Sequence, residues 1–226
     1  MRVELPSGTP AEVARPETGQ PTRGLVIAPD IGGLRPLFDD LTARLAREHD
    51  WAVIAVEPFP GREDMPIADR LGAVGDLDDD PQIGDLVAAA DQLDVEPVAL
   101  IGFCMGGMYT LKAAATKRFD RCAAFYGMIR VPEQWRGGGH REPLDGLGDP
   151  DVAVRVLAII GTADIWTPPT DVDDLEAAGV TVVRYEGAEH GFVHDPSRDA
   201  HRADDAADAW RRVIAWLDPS QPFSTQ

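Results

Sequence analysis

Short apolar runs alternate with amphipathic stretches along the whole chain, and this alternation constrains the fold more than any other feature. The runs are rich in β-branched residues, which is typical of strands buried on both faces of a parallel sheet. They occupy residues 24–28, 51–56, 97–101, 121–126, 154–160 and 180–185. Apolar residues at three- and four-residue spacing predict helices over 37–48, 83–93, 105–117 and 206–217. The pattern therefore predicts an α/β protein with a doubly wound, mainly parallel sheet and helices on both faces.

The segments outside the predicted sheet and helices are too short to form a second domain. Because a single sheet uses nearly all of the 226 residues, we expect one domain over 1–226. Two segments rich in proline and glycine, 58–82 and 132–150, interrupt the alternation and are predicted to be functional loops or lids. The polar C-terminus, 219–226, is predicted to be a frayed tail.

Charge and composition exclude several classes of partner. The chain carries 39 acidic against 21 basic residues, a net charge of −18, which repels nucleic acid and anionic membranes. It has no run of about 18 apolar residues, no apolar leader at its start and only 2 cysteines, so we expect a soluble cytoplasmic protein. The acidity fits either a solvated surface or adaptation to salt, and composition does not separate the two.

A candidate nucleophile stands in the segment ALIGFCMGG at 99–107. A predicted strand ends at Gly102, Cys104 follows, and a predicted helix begins with Gly106 in its first turn. This order is the G-x-nucleophile-x-G elbow, in which glycines remove side chains that would clash between strand and helix. The helix N-terminus also favours a thiolate. The alternative interpretation is a small-residue turn holding a structural cysteine.

A candidate acid and base follow the elbow in the order that this arrangement requires. Asp164 comes directly after the predicted strand 154–160, and His190 comes after the predicted strand 180–185. Taken alone, the aspartate fits a turn cap and the histidine fits a surface residue. Nucleophile, acid and histidine in this order, each at a strand end, indicate a hydrolase.

Several motifs together resemble one family, the dienelactone hydrolases of the α/β-hydrolase superfamily. The motifs are GFCMGG at 102–107, GTAD at 161–164 and EGAEHGF at 186–192, with APDIGG at 28–33 and FYG at 125–127. The resemblance implies an α/β-hydrolase fold with Cys104 as nucleophile, His190 as base and Asp164 as its orienting partner. It also implies that Asp30, one methylene shorter than the family's usual glutamate, contacts the thiol.

The resemblance further implies that two arginines hold a substrate carboxylate. Arg70 is the residue chosen for the first position, while the second position holds His194, a weaker cation at neutral pH. Arg198 is another cation that could reach the site. The aromatic residues Tyr126, Trp166 and Phe192 are predicted either to wall the substrate pocket or to belong to the ordinary core.

These residues define an expected chemistry. The Cys104 thiolate attacks an ester or lactone carbonyl, and water activated by His190 hydrolyses the resulting thioester. The backbone N–H of Met105 and, by resemblance, that of Ile31 receive the oxyanion. We therefore predict a cysteine-dependent hydrolase of small esters or lactones, without cofactor or metal, acting as a monomer or small homo-oligomer. The alternative is a non-catalytic or redox-responsive binding protein of the same fold, because a fold does not by itself imply catalysis.

Overall fold

An eight-stranded sheet runs through the computed structural model, which describes residues 1–218. The strand order is β1-β2-β4-β3-β5-β6-β7-β8. The strands β3 to β8 pair in parallel, whereas β2 pairs antiparallel with both of its neighbours, β1 and β4. The predicted frayed tail, 219–226, lies outside the described residues. The strands are β1 (Arg2–Glu4), β2 (Pro10–Ala14), β3 (Gly24–Ala28), β4 (Ala52–Val56), β5 (Val98–Phe103), β6 (Cys122–Phe125), β7 (Val156–Gly161) and β8 (Thr181–Tyr185).

The six strands predicted from apolar runs are all present, with slightly different ends. The antiparallel strands β1 and β2 were not predicted. Both are short, stand at or next to the edge of the sheet and expose part of their side chains, so they lack a continuous apolar run. A strand that is buried on one side only carries a weaker sequence signal than a strand buried on both.

Helices cover both faces of the sheet, which confirms the doubly wound α/β architecture. Leu86, Met108 and Leu175 of α3, α4 and α6 belong to the core on one face. Leu45 and Val213 of α1 and α7 belong to the core on the other face. The helices are α1 (Pro36–His49), α2 (Ile67–Ala73), α3 (Asp79–Gln92), α4 (Met105–Ala114), α5 (Pro150–Ala153), α6 (Pro169–Ala177) and α7 (Ala203–Leu217). None of these helices is long and apolar enough to span a membrane.

The two segments predicted to be irregular contain more regular structure than expected. The first holds α2, a 3-10 turn at Val74–Asp76 and the start of α3, and the second holds 3-10 turns at Glu133–Trp135 and Pro143–Gly148. A buried ion pair fastens the first segment to α4, because Nζ of Lys112 lies 2.7 Å from Oδ1 of Asp79. The ring of His140, from the second segment, lies 3.3 Å from the same ammonium. Both segments are thereby fixed to the helix that begins just after Cys104.

Candidate active site

Cys104 lies in a strained turn between β5 and α4. Its backbone angles are φ 57° and ψ −119°, a conformation that costs energy for any residue with a side chain. A Cβ on Gly102 would stand 2.2 Å from the carbonyl oxygen of Gly106, and a Cβ on Gly106 would stand 2.1 Å from that of Ala28. Only glycine fits at these two positions, so the elbow glycines allow helix α4 to begin directly against β5 and β3.

Asp164 and His190 meet at the same edge of the sheet, where β7 and β8 end. Nδ1 of His190 donates to Oδ2 of Asp164 at 2.7 Å. The other oxygen of Asp164 accepts the backbone N–H of Trp166 at 2.8 Å, so the carboxylate is held on both sides. Because Nδ1 is engaged, Nε2 is the ring nitrogen of His190 that is left for the Cys104 thiol.

The surroundings of His190 favour its charged form. Burial alone would lower the pKa of this imidazole, but hydrogen bonds with Asp164 and Cys104 outweigh burial and raise the pKa to about 9. At neutral pH His190 therefore carries a proton and a positive charge beside the sulfur.

The two residues whose backbone N–H groups are expected to receive an oxyanion are the one that follows Cys104 and one that lines the cleft. Met105 is the first residue of α4, and the first amides of a helix have no acceptor inside that helix. Ile31 lies in the wall of the cleft above Cys104. Its carbonyl oxygen accepts from Nη1 of Arg70 at 3.2 Å, which fixes the peptide that follows β3.

Asp30 has partners other than the predicted one. Its Oδ1 accepts from Nη1 of Arg35 at 2.7 Å and from the N–H of Gly32 at 2.8 Å. Its Oδ2 accepts from Nη2 of Arg35 at 2.8 Å and from Nε2 of His194 at 2.7 Å. Burial would raise the pKa of this carboxyl, but the bonds from His194 and Arg35 hold the pKa well below its usual range. Both oxygens of Asp30 are therefore engaged by these donors, and its contact with the Cys104 thiol stays a prediction.

His194 and Tyr126 are buried and do not line the cleft. His194 is 7% exposed and Tyr126 is fully buried. Nε2 of His194 is hydrogen-bonded to Asp30, and Nδ1 is hydrogen-bonded to the Tyr126 hydroxyl. Phe192 is also fully buried and packs on the Tyr126 ring, with centroids 5.9 Å apart. All three side chains, which were predicted to contact substrate, are enclosed by the core in this structure.

Arg70, which was predicted to hold a substrate carboxylate, is also enclosed. Its side chain is 3% exposed, and Nη1 lies 3.2 Å from Oε1 of Glu57, which is equally buried. A Cβ on Gly33 would stand 2.5 Å from Nη1 of Arg70, so the glycine lets the loop after β3 close over the ion pair. The N–H of Leu34 donates to Oε2 of Glu57 at 2.8 Å. These hydrogen bonds tie the loop that carries Ile31 to the ion pair. Each of the two charges needs the other, because an unpaired charge buried here would be costly.

A cleft of about 420 Å³ opens above Cys104 and His190. Its lining includes both apolar and charged side chains, and Trp166 is the predicted wall residue found among them. The apolar residues of the lining, here called the apolar wall, are Ile67, Leu71, Met128, Trp135 and Trp166. The aspartates and arginines of the lining are Asp30, Arg35, Asp195 and Arg198.

Two further features limit the chemistry of the described region. Over residues 1–218, no group of three or more His, Cys, Asp or Glu side chains is placed to hold a metal ion. The second cysteine, Cys122, is a free thiol buried in β6, and burial raises its pKa. Arg35 was missed by sequence reasoning, although an arginine five residues after Asp30 is a recognisable local partner for a carboxylate.

Comparisons with known proteins agree with the geometry. Residues 10–220 match the model of the Dienelactone hydrolase family. Carboxymethylenebutenolidase 2 of Cupriavidus pinatubonensis is 29% identical over 195 residues, which cover 80% of each chain. The carboxymethylenebutenolidase of Rhodococcus opacus is 28% identical over 211 residues, which cover 86% of this chain and 80% of that one. A solved Klebsiella pneumoniae structure has a TM-score of 0.76 at 25% identity, covering 96% of this chain and 97% of its own. The predicted α/β-hydrolase fold is confirmed, and the chain belongs to the dienelactone hydrolase family.

Proposed function

We propose that this hydrolase cleaves carboxylic esters or lactones with Cys104 as its nucleophile. The observation that carries the proposal is the position of the Cys104 thiol in the elbow, beside a His190 imidazole that Asp164 orients at 2.7 Å. A protonated histidine beside the thiol supports a resting thiolate–imidazolium pair.

Acylation begins when the Cys104 sulfur attacks the carbonyl carbon and forms an S–C bond. The carbonyl electrons move to oxygen, and we assign the stabilisation of that charge to the N–H groups of Met105 and Ile31. One such donor typically lowers the barrier by about 3 kcal/mol. When the tetrahedral intermediate collapses, the C–O bond to the leaving group breaks and protonated His190 gives its proton to the departing alkoxide. In a lactone this alkoxide stays attached to the acyl group.

Deacylation uses the same groups in reverse. Neutral His190 takes a proton from water, and the water oxygen attacks the thioester carbon. The C–S bond then breaks, so that the acid product leaves and the thiolate–imidazolium pair is restored. Asp164 keeps Nδ1 of His190 occupied throughout, which holds Nε2 toward the reacting atoms.

The cleft supports a substrate that carries a carboxylate. Arg35 is already paired with Asp30, whereas Arg198 is exposed at the cleft and has no ion pair with any carboxylate of residues 1–218. The free guanidinium of Arg198 is therefore our candidate for holding a substrate carboxylate, in place of Arg70 and His194. The relatives named carboxymethylenebutenolidase support an unsaturated lactone as the substrate class.

Replacement of Cys104 tests the proposal. We expect Cys104→Ala to lower the kcat for p-nitrophenyl acetate and for a dienelactone by more than about 1,000-fold, the scale found for catalytic nucleophiles. Cys122→Ala is the matched control and is expected to keep its activity, because Cys122 lies in the core away from the cleft. Full activity of the Cys104→Ala chain would rule out this nucleophile. No activity in the unsubstituted chain toward any ester or lactone would favour the alternative, a non-catalytic or redox-responsive binding protein.

A further inference from the structure

Two tryptophans form a stacked pair at the apolar wall of the cleft. The rings of Trp135 and Trp166 are nearly parallel, with an angle of 15° between planes and 5.9 Å between centroids. Trp135 is 2% exposed, and its Nε1–H donates to the carbonyl of Leu71 at 3.1 Å. Trp166 is half-buried and lines the cleft. The inner ring is thus fixed by the core, and the outer ring lies against it.

The outer ring lies next to the reacting groups. The centroid of Trp166 is 6.4 Å from that of the His190 ring. The backbone N–H of Trp166 donates to the carboxylate of Asp164, which in turn holds His190. The position of the indole is therefore tied to the position of the base. An acyl group attached to the Cys104 sulfur lies within the same cleft as this ring.

The lining of the cleft combines apolar and cationic side chains, which indicates an amphipathic ligand. Ile67 and Leu71 are 54% and 43% exposed, so they offer apolar surface to a ligand. Trp166, Arg35 and Arg198 line the same cleft. A ligand that is apolar at one end and anionic at the other matches this combination.

We propose that Trp166, backed by Trp135, is a specificity-determining subsite that stacks a flat conjugated group of the substrate's acyl part. The centroid separation within the pair leaves no space for a ligand between the rings, so the ligand stacks on the outer side of Trp166. Planar π systems gain from offset stacking in addition to the burial of apolar area, whereas a puckered ring of the same size gains only from burial. This inference rests on the proposed function only in taking the cleft as the substrate site.

The test compares two carboxylates of equal charge and similar size that differ in planarity. We expect the Cys104→Ala chain, followed by titration calorimetry, to bind trans-cinnamate about 2- to 10-fold more tightly than 3-cyclohexylpropanoate. Trp166→Leu is expected to remove this preference, and Trp166→Phe is expected to keep part of it. Leu71→Ala is the control for general apolar contact and is expected to weaken both ligands by the same factor.

Equal affinity for the two carboxylates, or a preference that survives Trp166→Leu, would overturn the subsite. If Trp166→Leu does not fold, the ring-current shift of cinnamate protons on binding to the Cys104→Ala chain gives the answer, since stacking on an indole moves them upfield. Absence of that shift in the bound ligand contradicts the proposal. Binding is measured without turnover, so a failure of Cys104 as nucleophile and a failure of this subsite give different results.

Discussion

Nε2 of His194 donates to Oδ2 of Asp30 at 2.7 Å, and both side chains are buried. The pair joins β3 to the loop after β8, two parts of the chain that are 164 residues apart. Arg35 completes the set by donating to both oxygens of Asp30. The family resemblance suggested a substrate-binding cation at position 194. In the structure His194 is instead engaged with the buried carboxylate of Asp30.

This arrangement predicts the effect of placing an arginine at that position. His194→Arg is expected to lower the free energy of unfolding by about 1–3 kcal/mol, because a longer side chain must enter a filled site. It is not expected to tighten the binding of an anionic substrate. Urea unfolding and the KM for an anionic lactone measure the two effects. A lower KM at unchanged stability would show that the new guanidinium reaches the cleft.

The buried pair of Arg70 and Glu57 predicts a loss of stability when it is broken. Arg70→Ala leaves the Glu57 carboxylate buried without its cation, which typically costs about 3–5 kcal/mol. The double replacement Arg70→Met with Glu57→Gln is expected to cost less, because no charge is then left uncompensated. Denaturant unfolding measures both. An Arg70→Ala chain of normal stability, with a raised KM for charged esters alone, would return Arg70 to the role of substrate clamp.

Arg198 is expected to control the preference for charged substrates. Arg198→Ala should raise the KM for an anionic lactone by about tenfold, near the lower limit for a hydrogen bond to a charged group, because the side chain is exposed. It should leave the KM for p-nitrophenyl acetate unchanged, since that ester has no carboxylate. Steady-state kinetics on the two substrates provide the comparison. An equal change for both would indicate a general effect on the cleft.

The raised pKa of His190 predicts how stability changes with pH. The imidazole pKa rises from 6.5 in the unfolded chain to about 9 in the folded one. The resulting stabilisation is fully present below pH 6.5 and is lost as pH rises through about 9. Its size is at most on the order of 3 kcal/mol. The difference in unfolding free energy between the unsubstituted chain and His190→Gln, measured from pH 6 to pH 10, should shrink over this window. A constant difference would contradict the charged form of His190.

The sequence predicts the parts of this molecule that depend on local pattern. The strands β3 to β7 are recognisable because both faces are buried, and the edge strand β8 is recognisable from its β-branched residues. The strands β1 and β2 are not recognisable, because polar residues interrupt them. Cys104, Asp164 and His190 are recognisable because each follows a strand that ends at one edge of the sheet. In the structure Cys104 and His190 line one cleft, and Asp164 contacts His190 from behind it.

The partners of single charged residues depend on contacts that no local pattern contains. Nothing in the sequence near Arg70 shows that it already has an ion-pair partner. In the structure it pairs with Glu57, the residue that directly follows β4. That acidic residue directly after a buried strand is a signal for a buried cation partner. His194 stands where the family resemblance implies a substrate-binding arginine. In the structure its ring is hydrogen-bonded to Asp30 and Tyr126 instead.

The central claim is that acyl groups pass through the Cys104 sulfur, and trapping the intermediate tests it most directly. The chain is mixed with p-nitrophenyl acetate, quenched in acid during turnover and analysed by peptide mass spectrometry. We expect one acetyl group on the peptide that contains Cys104, removable by hydroxylamine at neutral pH as a thioester is, and absent from Cys104→Ala. An acetyl group carried by another residue, with turnover unchanged in Cys104→Ala, would contradict the account.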